Sequence, residues 1–200
     1  MRIDASQITG GVLAGGQGRR LGGIDKGWYV LDGAPLIETT ITRLRPQVGS
    51  IVISANRSLA RYRALGCPVM RDHSDDAQGP LAGVAALLQA AHTPWVLVVP
   101  VDTPCLPLDL AARLSGAVRP GDDMVLARAG GRLHPLHMLL RRDLLDDLQV
   151  AISAGTRRVT HWQDTLASVV VDWESADCFV NINRPEDAPG GSIGDLTRRS

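Results

Sequence analysis

Short apolar runs alternate with amphipathic stretches along the 200-residue chain. Residues 8–13 (ITGGVL) read as a strand that runs into a glycine-rich segment, AGGQGRRLGG, at 14–23. Residues 35–44 begin with proline and place Leu36, Ile37, Thr40, Ile41 and Leu44 at the spacing of one helix face. A strand at 51–53, a short helix at 59–65 and a short strand at 68–70 follow. Residues 80–91 (PLAGVAALLQAA) predict a helix, and 95–99 (WVLVV) a strand buried on both faces. A further helix is expected over 107–114, with a proline near its first turn and Asp109 inside it. Such strand–helix alternation predicts a three-layer α/β domain with a mainly parallel central sheet.

The second half of the pattern is less regular. Residues 124–127 and 134–140 read as strands paired through a turn at Gly130-Gly131. A helix is expected over 142–154, and strands over 168–172 and 179–182. Residues 189–200, rich in Gly, Ser and Arg, are expected to be disordered, which leaves one domain over 1–188.

Composition narrows the class. The 44% hydrophobic content belongs to a folded chain, and with only four Trp, two Tyr and one Phe the core must be aliphatic. Net charge is zero, so neither nucleic acid nor an anionic membrane is expected as a partner. No apolar run approaches the roughly 20 residues of a membrane span. Cys67, Cys105 and Cys178 are odd in number and far apart, which fits a reducing cytoplasm better than a disulfide framework. Of 21 cationic side chains, 20 are arginine and one is lysine, Lys26. That bias leaves most arginines without special meaning and makes the lone lysine conspicuous.

In an open α/β sheet, ligands bind beyond the carboxyl ends of the strands. The first strand ends in Leu13-Ala14-Gly15-Gly16-Gln17-Gly18-Arg19-Arg20, and the WVLVV strand ends in Pro100-Val101-Asp102-Thr103-Pro104. An isolated glycine pair is ordinarily a turn. Here Gly15, Gly16, Gly18, Gly22 and Gly23 fall within nine residues, interleaved with two arginines and closed by Lys26. Such a loop lets backbone N–H groups approach a phosphate while cations neutralise it. It is no P-loop, because Gly27 rather than a hydroxyl follows Lys26, and no dinucleotide fingerprint, because Leu21 stands where the third glycine should be. Asp102, at the end of an apolar strand opposite this loop, suits a Mg²⁺ ion shared with substrate phosphates. Asp72, after the 68–70 strand, offers a carboxylate that could accept from both N1–H and N2–H of guanine, with a plain turn aspartate as the alternative. His134 and His137 face opposite sides of an ordinary strand, so one partly buried and one rim histidine are expected rather than a metal pair.

The stretch from Leu13 to Lys26, ending GG-x-DK, together with Gly79-Pro80-Leu81-Ala82-Gly83, Asp102-Thr103-Pro104, His134-Pro135 and Asn181-Ile182-Asn183-x-Pro185-Glu186, resembles the molybdenum cofactor guanylyltransferase (MobA) family. The first motif alone is shared with sugar-nucleotide pyrophosphorylases; the ordered set, spanning about residues 8–187, is more specific. The resemblance implies a Rossmann-like fold of the nucleotide-diphospho-sugar transferase type. Its nucleotide-binding half would cover about 1–115 and its acceptor, or pterin, half about 116–188. It implies transfer of GMP from GTP to the phosphate of molybdopterin or Mo-molybdopterin, with Mg²⁺ as cofactor. Lys26, Asp102 and Arg20 would be catalytic. GTP would meet Leu13, Ala14, Gly15, Gly16, Gly18, Gly23, Lys26, Ser54, Asp72, Gly79, Pro80, Leu81 and Asp102, with Mg²⁺ on Asp102. The pterin would meet His134, Asn181 and Asn183. Ser54 departs from the family, which often has asparagine there, so its base contact has one donor fewer. Molybdopterin-handling proteins and apo-molybdoenzymes or their chaperones are the implied protein partners. The alternatives are a cytidylyltransferase for the same cofactor, a sugar-1-phosphate nucleotidyltransferase, and a non-catalytic GTP-binding carrier.

Overall fold

The computed structural model describes residues 3–15, 25–71 and 79–182. Gly16, Gly18, Arg20, Gly23, Asp72, Asn183 and the 189–200 tail lie outside the described residues. In chain order the strands are β1 (Ile8–Leu13), β2 (Val30–Leu31), β3 (Ala34–Pro35), β4 (Ser50–Ser54), β5 (Val69–Met70), β6 (Trp95–Pro100), β7 (Met124–Ala129), β8 (Arg132–Arg141) and β9 (Ser168–Trp173). The helices are α1 (Leu36–Leu44), α2 (Leu59–Arg63), α3 (Pro80–Ala90), α4 (Leu110–Ala117), α5 (Leu145–Ser153) and α6 (Val159–Gln163). Seven strands form one sheet in the order β5-β4-β1-β6-β8-β7-β9, while β2 and β3 make a separate small hairpin. Within the large sheet, β8 runs antiparallel to both its neighbours and every other pairing is parallel.

The alternation along β6 shows why this is a three-layer protein. Trp95, Leu97 and Val99 join a core with Leu36, Ile37 and Leu44 of α1 and Leu110 and Leu114 of α4. Val96 and Val98 join a second core with Leu81, Val84 and Leu87 of α3, Leu148 of α5 and Trp162 of α6. Successive side chains point to opposite faces, so an uninterrupted apolar run demands a helical layer on each side. At the centre of the sheet, β1 uses glycine for space. A β-carbon at Gly10 would lie 2.7 Å from Leu44, and one at Gly11 2.8 Å from Leu87, so α1 and α3 close on this strand from both faces.

The predicted elements through residue 100 recur with ends shifted by a few residues. The 107–114 helix starts later than expected, at Leu110, with Asp109 at its N-cap rather than within it. The cause is remote in sequence: Gln47 Nε2 donates to the Pro107 carbonyl at 2.9 Å while its Oε1 accepts from the Ala111 N–H at 3.0 Å, so a side chain after α1 serves the first turn of α4. The Gly130-Gly131 turn forms as expected, both residues at positive φ (54° and 76°), the conformation a tight hairpin requires. The 142–154 segment opens with a 3₁₀ turn before α5. The strand expected at 179–182 does not form: Asp177–Phe179 is a 3₁₀ turn, and Ile182 N–H donates instead to the Asp102 carbonyl at 2.8 Å. Helix α6, five residues of VTHWQ, carries no helical pattern of its own. It is held by burial of Trp162, whose indole N–H donates to Asp147 of α5 at 2.7 Å.

Candidate active site

Strand order decides where ligands can enter. From β1 the chain builds outward to β4 and β5, then returns through α3 to β6 on the other flank of β1. The reversal leaves a crevice at the carboxyl ends of β1 and β6. Leu13 ends β1 opposite Pro100 of β6, and the Leu13 carbonyl accepts from Val101 N–H at 3.0 Å. Ala14 N–H donates to the Ser54 carbonyl at 2.8 Å, which brings the end of β4 to the same edge. The N-terminus of α3 arrives there too, because a helix linking parallel strands runs antiparallel to them. Gly79 precedes it at φ 65°, Pro80 occupies its first turn, and no side chain among the described residues caps it.

Across this crevice Lys26 Nζ lies 2.5 Å from Asp102 Oδ2, joining residues 76 apart in the chain. Both side chains are mostly buried, at 12% and 16% exposure, so the pair sits in the crevice wall, where screening by water is weak. Asp102 Oδ1 is buried and makes no hydrogen bond among the described residues. A buried carboxylate oxygen at the carboxyl edge of the sheet, with no donor among the described residues, fits a hard divalent cation. Among the described residues no group of three or more His, Cys, Asp or Glu could hold a metal.

Several of the other expected residues that are described reach the same edge. The main chain of Leu13, Ala14 and Gly15 leads from β1 into the crevice. Ser54 is buried, and its hydroxyl has no hydrogen-bond partner among the described residues. On the far side Thr103 Oγ1 donates to Asn181 Oδ1 at 3.1 Å, and with the Ile182–Asp102 bond this pins the 181–182 segment beside the strand end.

The histidine expectation needs correction. The β7–β8 register shifts between Leu126, opposite Met138, and Ala127, opposite His134, leaving 135–137 as a bulge. The bulge turns both rings the same way: His134 and His137 lie 5.7 Å apart edge to face, and each packs on Phe179, at 4.8 and 5.0 Å. His137 is buried, and desolvation, with a smaller contribution from His134, lowers its pKa to about 3. Burial, then the charge of Arg132, also lowers that of His134. Near neutral pH both rings are uncharged. Where one partly buried and one rim histidine were expected, His137 is fully buried and His134 partly buried.

Sequence reasoning passed over the support beneath Lys26. Asp25, noted only within the GG-x-DK motif, caps the 3₁₀ turn Lys26–Trp28 by accepting from Gly27 N–H at 3.3 Å, and it accepts from the Tyr62 hydroxyl of α2 at 2.6 Å. The DK dipeptide could have flagged Asp25, but nothing local marks Tyr62.

The family model of the MobA-like NTP transferase domain matches residues 10–168. The molybdenum cofactor guanylyltransferase of Polynucleobacter asymbioticus is 42% identical over 190 residues, covering 92% of this chain and 96% of that protein. That of Ralstonia nicotianae is 41% identical over 199 residues, covering 90% and 94%. Among solved structures, molybdopterin-guanine dinucleotide biosynthesis protein A from Archaeoglobus fulgidus superposes with a TM-score of 0.73 at 24% identity, covering 95% of each chain. The inositol-1-phosphate CTP transferase of T. maritima superposes with a TM-score of 0.75 at 14% identity, covering 100% of this chain and 97% of that one. These last two likenesses establish the fold, that of nucleotidyltransferases. Taken with identity above 40% across almost the whole length, they leave one conclusion: the chain belongs to the MobA-like NTP transferase family, as a nucleotidyltransferase of its molybdenum cofactor guanylyltransferase group.

Proposed function

We propose that this chain transfers GMP from GTP to the phosphate of molybdopterin, with or without its molybdenum, using Mg²⁺ and releasing pyrophosphate. The observation that carries the proposal is the Lys26–Asp102 pair in the β1/β6 crevice, with Asp102 Oδ1 left for a cation. Curated relatives above 40% identity bear the name of that activity.

The chemistry asks for little beyond position and charge. An acceptor phosphate oxygen forms a bond to the α-phosphorus of GTP, and the bond from that phosphorus to the bridging oxygen breaks. Pyrophosphate leaves with the electron pair. The acceptor is already anionic, so no general base is needed. Lys26 supplies a compact positive charge to the phosphate oxygens, and the main chain from Gly15 together with the start of α3 supplies N–H donors. Asp102 would hold Mg²⁺, which when bound neutralises charge on the phosphates. Arg20, Gly16, Gly18 and Gly23 belong to the loop between Gly15 and Asp25 and would complete the phosphate cradle. Leu13 and Ala14 would contact the nucleotide, Asp72 and Ser54 its nucleoside part, and Gly79, Pro80 and Leu81 its flank. Asn181 and Asn183 would orient the acceptor, with neutral His134 at its rim. The reaction would take place in the cytoplasm, and apo-molybdoenzymes or their chaperones would receive the product.

The decisive experiment incubates the purified chain with Mg²⁺, molybdopterin and either GTP or CTP, then identifies the dinucleotide by mass spectrometry and measures pyrophosphate. Guanine dinucleotide and equimolar pyrophosphate are expected with GTP, and neither product with CTP. Cytosine dinucleotide, or turnover only with a sugar 1-phosphate, would overturn the proposal.

A further inference from the structure

Lys26 stands at the first position of a 3₁₀ turn only three residues long. So short a turn does not hold a side chain in place by itself; its geometry must be imposed from outside. Three contacts from α2 impose it. The Tyr62 hydroxyl donates to Asp25 Oδ1 at 2.6 Å, and the same oxygen caps the turn through Gly27 N–H. The Tyr62 ring packs on Trp28 at 5.1 Å between centroids. The Arg61 guanidinium lies over the Trp28 ring, 3.9 Å from its centre.

The fit is close. A β-carbon at Gly27 would collide with the Tyr62 hydroxyl, so the turn is shaped around that group. Tyr62 is fully buried, and burial, followed by the bond to Asp25, raises its pKa above the ordinary phenol range, which keeps it a donor. Helix α2 is aimed by Ser58, whose left-handed backbone (φ 49°) turns the chain into the helix while its carbonyl accepts from Arg61 and Tyr62 N–H at 2.9 and 3.1 Å.

We propose that Tyr62, acting through Asp25, is a positioning residue for Lys26: the hydroxyl–carboxylate strut sets the turn that holds the ammonium against Asp102 and in line with the transferring phosphates. This deepens the guanylyl-transfer function and rests on Lys26 meeting phosphate in that crevice. A strut of this kind matters because displacement of a reacting or stabilising group by about 1 Å can cost about a hundredfold in rate. Tyr62 touches neither of the paired groups, so its effect must vanish when Lys26 has no charge to position.

The chain's single lysine makes a direct test available. Labelling with ε-¹³C-lysine yields one side-chain resonance, read without any ligand. Tyr62→Phe, which keeps the ring and removes the hydroxyl, is expected to move that resonance toward the position of a free lysine, in the same direction as is expected for Asp102→Asn. An unchanged resonance would overturn the proposal. The kinetic arm is a double-mutant cycle. Tyr62→Phe is expected to lower kcat/KM for GTP about tenfold in the native chain, but to change it less than about twofold in a Lys26→Met background. Equal losses in both backgrounds would show a merely structural role. Should Tyr62→Phe fail to fold, Asp25→Asn and Asp25→Ala replace it. Asparagine keeps an oxygen that accepts from both donors and should retain most activity and the native resonance, whereas alanine should lose both; identical behaviour of the two would overturn the strut. If the unsubstituted chain forms no dinucleotide while the resonance responds as expected, it is the guanylyl-transfer function that fails, and the strut stands.

Discussion

On the parallel side of the sheet, β1 and β6 bring charge to the crevice, Lys26 against Asp102; on the antiparallel side, β8 brings two neutral imidazoles to the same edge, His134 and His137 against Phe179. Crossover connections explain the first arrangement. Parallel strands end at one edge, so turns from distant parts of the chain converge there, and an ion pair can span 76 residues. The second arrangement comes from a hairpin with a bulge, which re-aims neighbouring side chains within one strand. One side thereby carries charge, and the other an uncharged, partly aromatic wall. In the proposed reaction the first would meet the phosphates of GTP and the second would lie at the rim of the acceptor.

Breaking the charged side should have the largest effect. Asp102→Ala is expected to lower turnover by about two orders of magnitude or more while the circular dichroism spectrum stays native. Retention of near-normal dinucleotide synthesis would remove Asp102 from the machinery. Lys26→Arg keeps the charge but replaces a compact, rotatable ammonium with a planar fork, and should reduce turnover by about tenfold. A fully active arginine variant would make the single lysine an accident of composition.

The aromatic side should reveal itself through pH rather than rate. His137 has its pKa lowered to about 3 in the folded protein, against an ordinary value of 6.5. Between those values the unfolded chain binds the proton and the folded chain does not, so stability is full above 6.5 and is lost as pH falls toward 3. Urea unfolding at pH 7 and pH 5 should therefore show a loss of about 2 kcal/mol that His137→Phe largely abolishes, with His134 adding a smaller loss of the same sign. A loss of the same size in the His137→Phe protein would show that the acid sensitivity originates elsewhere. The smallest effect is expected at the surface, where Arg128 meets Asp172 at 2.5 Å with both side chains substantially exposed. Arg128→Gln should leave the thermal midpoint unchanged within error, because solvent screens such pairs. A clear drop there would mean that the β7–β9 edge relies on charge more than on its ladder.

Much of this architecture was legible from pattern. The run WVLVV could only be a strand covered on both faces, and the sequence placed Lys26 and Asp102 near strand ends, where the structure pairs them. The weaker expectations failed where a local segment takes its structure from a distant partner. Helix α4 starts late because Gln47 serves its first turn, and residues 180–182 stay out of the sheet while Ile182 bonds to Asp102. Helix α6 exists because Trp162 is buried, although Val159 and Thr160 disfavour helix in isolation. At the site, the facing of His134 and His137 was misread because a bulge changes the period of a strand without leaving a mark in its composition.

By itself, then, the sequence determined most of the order of elements, the two faces that each central strand must bury, and the family, because periodicity, turn residues and motifs are properties of neighbouring positions. Tertiary structure alone decided that Lys26 meets Asp102, that Tyr62 holds the turn beneath Lys26 through Asp25, and that Phe179 gathers both histidines. Each of those contacts joins residues at least 37 apart. Contacts at such separation follow from strand order and from the directions in which helices leave the sheet, and both are settled only when the two cores close.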